Sequence, residues 1–389
     1  MFKNNIVKNL DIYKIIVKTL YDNPEIGLQE FETSKLLSKV IQDLGFDVTY
    51  PYVLDTGFMG KYVSKKKGPK IAFLCEYDAL PEVGHGCGHN LISAISIASA
   101  CALKEVIDDI GGEIYLMGTP AEENFGGKIE FVKGNAFKDI DLALMLHPGT
   151  SNRIGSKTLA LMPIKFEFFG KNSHGCNPYE AKNSLDAAVL TYNGISMLRQ
   201  YALPNTFIHG IIKDGGKAAN VIPAYSSMEF YFRNPKMSYV KELVDRAIKI
   251  AEGAALQTGT TLKTSIYECP YDDKFINYTL CNKLKEAYQE LDLCDILDVN
   301  EIPGGSSDVG AVSYVCPTLE GSIKIAGKEV LGHSVEMALA TISEQGTKAI
   351  IDGGISLAKI AYEYITNENF RNEVNQEFEK SKWYNKNCW

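Results

Sequence analysis

The sequence lacks a dense basic stripe: 40 Lys and Arg stand against 48 Asp and Glu in 389 residues, for a formal net charge of -8. That balance disfavours a nucleic-acid or anionic-membrane partner, because no concentrated cationic surface is on offer. A disulfide framework is lacking as well. The nine cysteines are scattered and odd in number, which suits a reducing compartment and leaves thiols available as nucleophiles or metal ligands. No stretch reads as long and apolar enough to cross a bilayer, and polar residues interrupt the N-terminal MFKNNIVKNLDIYK too often for a secretion signal. A cytoplasmic location is expected. Internal repeats and low-complexity segments are not seen. What remains is an ordinary globular balance, 45% hydrophobic and 23% charged, in a chain of comfortable length for two domains.

After two helical segments, the second stopped by Gly45, apolar strands and helices alternate. KIAFLCEYD (70–78), EIYLMG (113–118) and DLALMLH (141–147) read as buried strands, and LISAISIASACALKEVI (91–107) as a buried helix. Such alternation argues for an α/β domain with a mostly parallel central sheet flanked by helices. From about residue 163 the pattern becomes β-α-β-β-α-β, a split βαβ unit of ferredoxin-like α+β type. The α/β pattern then resumes and ends in a long helix around 341–365, followed by a polar tail expected as a surface helix or a frayed end. The expected organisation is a catalytic domain in two parts, 1–162 and 275–389, interrupted by a smaller domain at 163–274.

The chemistry collects where the strands end, the usual place for ligands in an open α/β sheet. The first strand runs into Asp78 and a glycine-rich loop with Cys87-Gly88-His89. The second runs into Glu122-Glu123, the third ends at His147, and a late loop holds His333. A thiolate and an imidazole one residue apart can face one ion if the intervening glycine lets the chain turn. Adjacent carboxylates repel unless a cation or proton relieves them, and one can bind metal while the other works as a base. Taken singly, each element also reads as a glycine-rich turn, a solvated acidic loop or a satisfied structural histidine. Together, one Cys, three His and a Glu at loop positions of one sheet match the needs of a divalent transition metal.

The strings CEYDALPEVGHGCGHN, GTPAEENFGGK, LMLHPG, KNSHGCNPYEAKNSLDAAV, AANVIPAYSSMEFYFRNP, GGSSDVGAVS and GHSVEMA cover nearly the whole chain in order. They resemble the dinuclear metal peptidases and amidohydrolases of the aminoacylase and carnosinase type. The likeness is to the branch with hippurate, auxin-conjugate and aminobenzoyl-glutamate hydrolases, and within it to members acting on β-alanyl and γ-aminobutyryl dipeptides. The resemblance implies two divalent ions, zinc by the softness of the cysteine, with manganese or cobalt as alternatives. It implies Cys87 as a bridging ligand, with His89, Glu123, His147 and His333 completing the sites. Glu122 is then the general base and Asp78 an orienting carboxylate. His174, from the inserted domain, stabilises the reacting carbonyl, while Asn220 and Arg233 contact substrate. The substrate implied is a small N-acyl-amino acid or dipeptide with a free carboxylate, and the insert forms the contact of a homodimer. The insert's open sheet edge suits such pairing. Three positions depart from the pattern: Glu76 stands where the wider family has a histidine, Gly86 where many relatives have alanine, and Asn90 where many have aspartate. Glu76 is not expected to be a ligand. The rival readings are aminobenzoyl-glutamate hydrolysis, a thiol enzyme using Cys87 with His89 or His85, and a binding protein on this fold that has lost catalysis.

Overall fold

The computed structural model describes residues 2–387 and divides into two compact units, 1–157 with 274–389, and 158–273. The first is built on an eight-stranded sheet. From one edge its strands are Asp47–Thr49, Phe58–Val63, Glu113–Gly118, Lys70–Cys75, Leu142–Gly149, Thr318–Lys324, Asn152–Arg153 and Ile296–Leu297. The four central strands, from Glu113–Gly118 to Thr318–Lys324, are mutually parallel. Their carboxyl ends therefore open on one side, and the loops leaving Cys75, Gly118 and Gly149 are neighbours.

These strands read as unbroken apolar runs because helices cover both faces. Ile71, Phe73, Leu144 and Leu146 join one core with Leu91, Ile95 and Leu357, and Ala72, Leu74, Met117 and Met145 join another with Ile92, Phe131 and Val309. The helix His89–Ile110 lies in the first core with the helix Glu344–Thr366. By length and composition His89–Ile110 does qualify as a membrane span, with a mean hydropathy of 1.5 over its best window, so the expectation that no stretch would do so is overturned. The reason is its position: 83% of that window is buried inside the protein, and a helix walled in on all sides needs no polar face. The polar tail is helical, one of the two forms expected of it, but it packs more deeply than a surface helix would. It forms the helix Glu368–Asn387, and Phe370, Val374 and Phe378 are buried at helical spacing. The Glu377 carboxylate accepts from the Tyr278 and Thr279 N–H groups at the start of the helix Tyr278–Glu290.

The second unit is a four-stranded antiparallel sheet in the order Thr261–Ile266, Ala160–Phe169, Tyr225–Asn234, Phe207–Asp214. Its helices Ser184–Leu198 and Met237–Thr258 close a separate core of Phe166, Phe168, Phe230, Phe232, Ala188, Val240 and Leu243. The strand Phe207–Asp214 is an edge, and Phe207, Ile211 and Ile212 on it are exposed.

Candidate metal centre

Glu76, Tyr77 and Asp78 continue from the strand Lys70–Cys75 and are buried. Asp78 ties two later segments together. One oxygen accepts from His89 Nδ1 at 2.8 Å, and the other accepts from the Glu123 backbone N–H at 3.0 Å. With Nδ1 engaged, Nε2 of His89 is the nitrogen left to bind an ion. His147 is set in the same sense: its Nδ1 donates to the Pro148 carbonyl at 2.7 Å, and Nε2 faces Cys87 Sγ at 3.4 Å. Two placements differ from the loop positions expected. His147 lies inside the strand Leu142–Gly149, because parallel pairing with Thr318–Lys324 runs on to Gly149. His89 opens the long helix, because Gly88 turns the chain at φ +87 immediately before it.

Glycine brings the last segment in. A Cβ on Gly86 would stand 3.0 Å from the Ser334 carbonyl, so the bare backbone admits the 333–334 turn. The Gly86 carbonyl then accepts from the His333 N–H at 3.0 Å, and His333 takes φ +60. Its Nε2 lies 3.4 Å from Glu123 Oε1.

Two donor groups result, Cys87 with His89 and His147, and Cys87 with Glu123 and His333. In each, the donor atoms lie within 4.8 Å of one another, and Cys87 is common to both. A third group, His89 with Glu122 and Glu123, brings Glu122 to the same place. Two donors on one tetrahedral ion stand about 3.3–3.8 Å apart, given bonds of about 2.0–2.3 Å, so the 3.4 Å separations above fit a shared ion. Among the described residues, His89 Nε2 and Glu123 Oε1 are buried with no hydrogen-bond partner. Soft sulfur, imidazole and carboxylate together suit a divalent transition metal.

The electrostatics also call for a cation. Burial alone would push the His89 imidazole down, but Asp78, Cys87 and Glu76 around it raise it well above its ordinary value. Burial raises the Asp78 carboxyl, and His89, the Glu123 N–H and Lys128 together more than offset this, leaving it below the usual range. Glu122 is raised well above a normal carboxyl, first by burial and then by Glu76 and Asp308. Burial likewise pushes the Cys87 thiol up, with only partial relief from His89. A nucleophilic cysteine needs the opposite shift, which disfavours the thiol-enzyme reading.

Sequence reasoning missed a buried ion cluster beside these candidate donors. Lys128 Nζ lies 2.6 Å from Glu76 Oε1 and 2.7 Å from Asp308 Oδ1, and the Lys128 N–H donates to Asp308 Oδ2 at 2.9 Å. All three side chains are at most 1% exposed. The other oxygen of Glu76 stands 3.4 Å from His89 Nε2. In sequence, Lys128 sits in an ordinary-looking GGKIEFVK segment, and Asp308 is 180 positions away, so no local pattern announces the pair. His85 is a residue that the thiol-enzyme reading would pair with Cys87. It is buried, and burial with the nearby His89 pushes it down to about 3.

The remaining candidates lie in the second unit. His174 is on the short strand Ser173–His174, opposite Val221 on Val221–Ile222. Its Nδ1 accepts from the Cys176 N–H at 3.1 Å. Asn220 precedes that partner strand, and its carbonyl accepts from Gly175 N–H at 2.8 Å, so His174 and Asn220 come together. Arg233 does not join them. Tyr225 pairs with Phe169 at the end of the sheet nearest His174, whereas Arg233 pairs with Leu161 at the other end. Eight residues of strand separate the two ends, about 26 Å at roughly 3.3 Å per residue. The Arg233 guanidinium lies over the Tyr231 ring, 5.5 Å from its centroid.

Comparison with known proteins shows the family. The model of the family described as Peptidase family M20/M25/M40 matches residues 72–334. The chain is 33% identical to the Xaa-Arg dipeptidase of Mus musculus over 377 residues, spanning 93% of this chain and 87% of that protein. It is also 33% identical to a chain of the p-aminobenzoyl-glutamate hydrolase of Escherichia coli (strain K12), over 72% of this chain and 62% of that one. Among solved structures, the Bacillus subtilis YXEP protein, titled a dinuclear metal binding peptidase from the M20 family, superposes with a TM-score of 0.65 at 18% identity. That likeness covers 93% of this chain and 99% of the other and speaks for the fold. The chain is a member of peptidase family M20/M25/M40, and its class of reaction is the hydrolysis of peptide or amide bonds.

Proposed function

We propose that this hydrolase uses two divalent ions, zinc by the softness of the cysteine, to cut the amide bond of a small dipeptide or N-acyl-amino acid with a free carboxylate. The observation that carries the reading is the pair of donor groups sharing Cys87. His89 and His147 would hold one ion and Glu123 and His333 the other, with Cys87 between them. Ions so held supply Lewis acidity toward a carbonyl oxygen and toward water.

The chain's own residues do the rest. Asp78 keeps His89 in the tautomer with Nε2 free and holds the Glu123 backbone in place. Glu122, half-buried beside the donors, takes a proton from the attacking water and returns it to the leaving amine. His174 and Asn220 donate to the reacting carbonyl and the substrate, and the planar fork of Arg233 binds the substrate carboxylate. The separation of Arg233 from His174 and Asn220 along one sheet favours a homodimer. A small substrate cannot span that distance within one insert, so one set would come from the partner. The exposed apolar edge Phe207–Asp214 is a surface on which two inserts could meet.

The name of the relative matched over most of its length makes dipeptides ending in a basic residue the first substrates to try. Aminobenzoyl-glutamate is the second, on the shorter match. The deciding experiment screens these together with β-alanyl dipeptides and N-acyl amino acids against zinc-, manganese- and cobalt-loaded protein. Hydrolysis abolished by a chelator and restored by metal is the expected result. Turnover that survives complete metal removal would reject the reading.

A further inference from the structure

Glu76 stands as close to the ligand nitrogen of His89 as neighbouring donors on one ion would, 3.4 Å from Oε2 to Nε2. That is longer than the roughly 2.7–2.9 Å of a charge-assisted hydrogen bond, so no direct bond between the two groups accounts for it. The Glu76 side chain is 1% exposed, and, the Lys128 ammonium apart, its carboxylate oxygens have no hydrogen-bond partner among the described residues. A buried carboxylate in such a place would be drawn to a nearby divalent ion. What stands against this is Lys128. Its ammonium lies 2.6 Å from the Glu76 carboxylate and 2.7 Å from Asp308.

The lysine is itself held fast. Its N–H is bonded to Asp308, so one carboxylate grips both ends of the residue. It is the second residue of the short helix Gly127–Lys133, which follows Gly126, where the chain turns at φ +71. A Cβ on Gly127 would fall 1.9 Å from the Pro120 carbonyl, so that turn tolerates no side chain. The arrangement is costly to build, since burying three charges demands close mutual pairing. Joining the loops after Cys75 and Gly118 to the 308 turn could be achieved by apolar contacts; a salt cluster there has an electrostatic consequence as well.

We propose that Lys128 is a positioning residue that withholds Glu76 from the metal centre, limiting the donors to Cys87, His89, Glu123, His147 and His333. Freed of the lysine, Glu76 joins the ligands. Metal is then held more tightly, and the position that water and substrate require is filled. The inference rests on the metal-centre reading above.

Two double variants test it at constant charge. Lys128→Met/Asp308→Asn and Lys128→Met/Glu76→Gln each remove one cation and one anion, and only the first leaves a free Glu76 carboxylate. Zinc affinity is measured by competition with a chromophoric chelator, beside the wild type. The Asp308→Asn double variant should bind zinc about tenfold or more tightly than the Glu76→Gln double variant, the lower end of the range that residues behind metal ligands command, and it should turn over more slowly. Equal affinities would overturn the proposal, leaving charge alone as the effect of Lys128. Glu76→Gln by itself keeps side-chain shape and the Lys128–Asp308 pair, so it carries the test if the double variants fail to fold. Its zinc affinity should stay within about threefold of wild type, and a drop of about tenfold, the size expected for a ligand or its direct support, would show Glu76 to be a ligand already. Wild-type protein that binds no zinc would sink the metal-centre reading itself, an outcome distinct from any difference among the variants.

Discussion

Replacing Asp78 by asparagine should weaken metal binding far more than its small change in shape suggests. The carboxylate accepts on both sides, from His89 Nδ1 at 2.8 Å and from the Glu123 N–H at 3.0 Å. Asparagine offers one oxygen and one NH2. If the oxygen faces His89, the NH2 confronts the Glu123 N–H; if it faces Glu123, the NH2 confronts Nδ1–H. One donor is left against a donor in either orientation, and His89 can escape only by moving its proton to Nε2, the atom that must bind the ion. Losing one hydrogen bond to a charged group costs about 1.5–3 kcal/mol. A tenfold to hundredfold loss of affinity, about 1.4–2.8 kcal/mol, is the expected consequence and agrees with the usual effect of removing support behind a metal ligand. The assay is zinc competition against a chromophoric chelator, with thermal melts of the metal-free proteins run beside it. Affinity of Asp78→Asn within about threefold of wild type, well below that range, would refute the reasoning and detach Asp78 from the ligands.

Glu122→Gln should lower kcat by about 10²–10⁴, the range for loss of a general base, while metal content measured on the purified protein stays unchanged. Loss of metal instead would make Glu122 a ligand, as its place in the group with His89 and Glu123 allows. Arg233→Lys should raise KM for substrates with a free carboxylate much more than for their amides, and equal effects would reject a carboxylate contact. Glu122→Gln and His174→Ala chains refolded together should regain about a quarter of wild-type activity, because half of randomly formed two-fold dimers are mixed and each carries one intact site; a mixture that stays inactive would place His174 at its own chain's ions. Glu30, buried and raised to about 7 chiefly by burial, binds its proton more strongly in the folded state. The stability it contributes is present below about pH 4.5 and declines as pH rises toward 7. Glu30→Gln should flatten that part of a melting-temperature profile, and an unchanged slope would show that other groups set it.

The sequence carried the parallel sheet because a strand walled by helices must be apolar throughout, as in KIAFLC and ALMLH, and that signal is local. It carried the βαββαβ order of 163–274 for the same reason, since each element there has its own periodicity. That the candidate donors would lie close together was legible because strand ends collect ligands and because Cys-Gly-His joined two of them in one loop. Exact placement was less legible. His89 entered a helix and His147 a strand, because Gly88 and the pairing to Thr318–Lys324 decided where those elements began and ended. The polar tail could not be read as a packed helix from its composition, since Phe370 and Val374 join a core drawn mostly from distant segments of the chain.

What the sequence determined by itself is therefore what depends on neighbours in the chain: strand and helix type, the turns that need glycine, and the kinds of atom offered at each strand end. Tertiary structure alone decided which of those atoms face one another. Only the folded chain shows that Asp78 grips both His89 and Glu123, that Cys87 belongs to two donor groups, and that Lys128 is locked between Glu76 and Asp308. A buried charge is tolerated only when it is paired, and here one partner of Lys128, Asp308, lies 180 residues along the chain, beyond the reach of any local pattern.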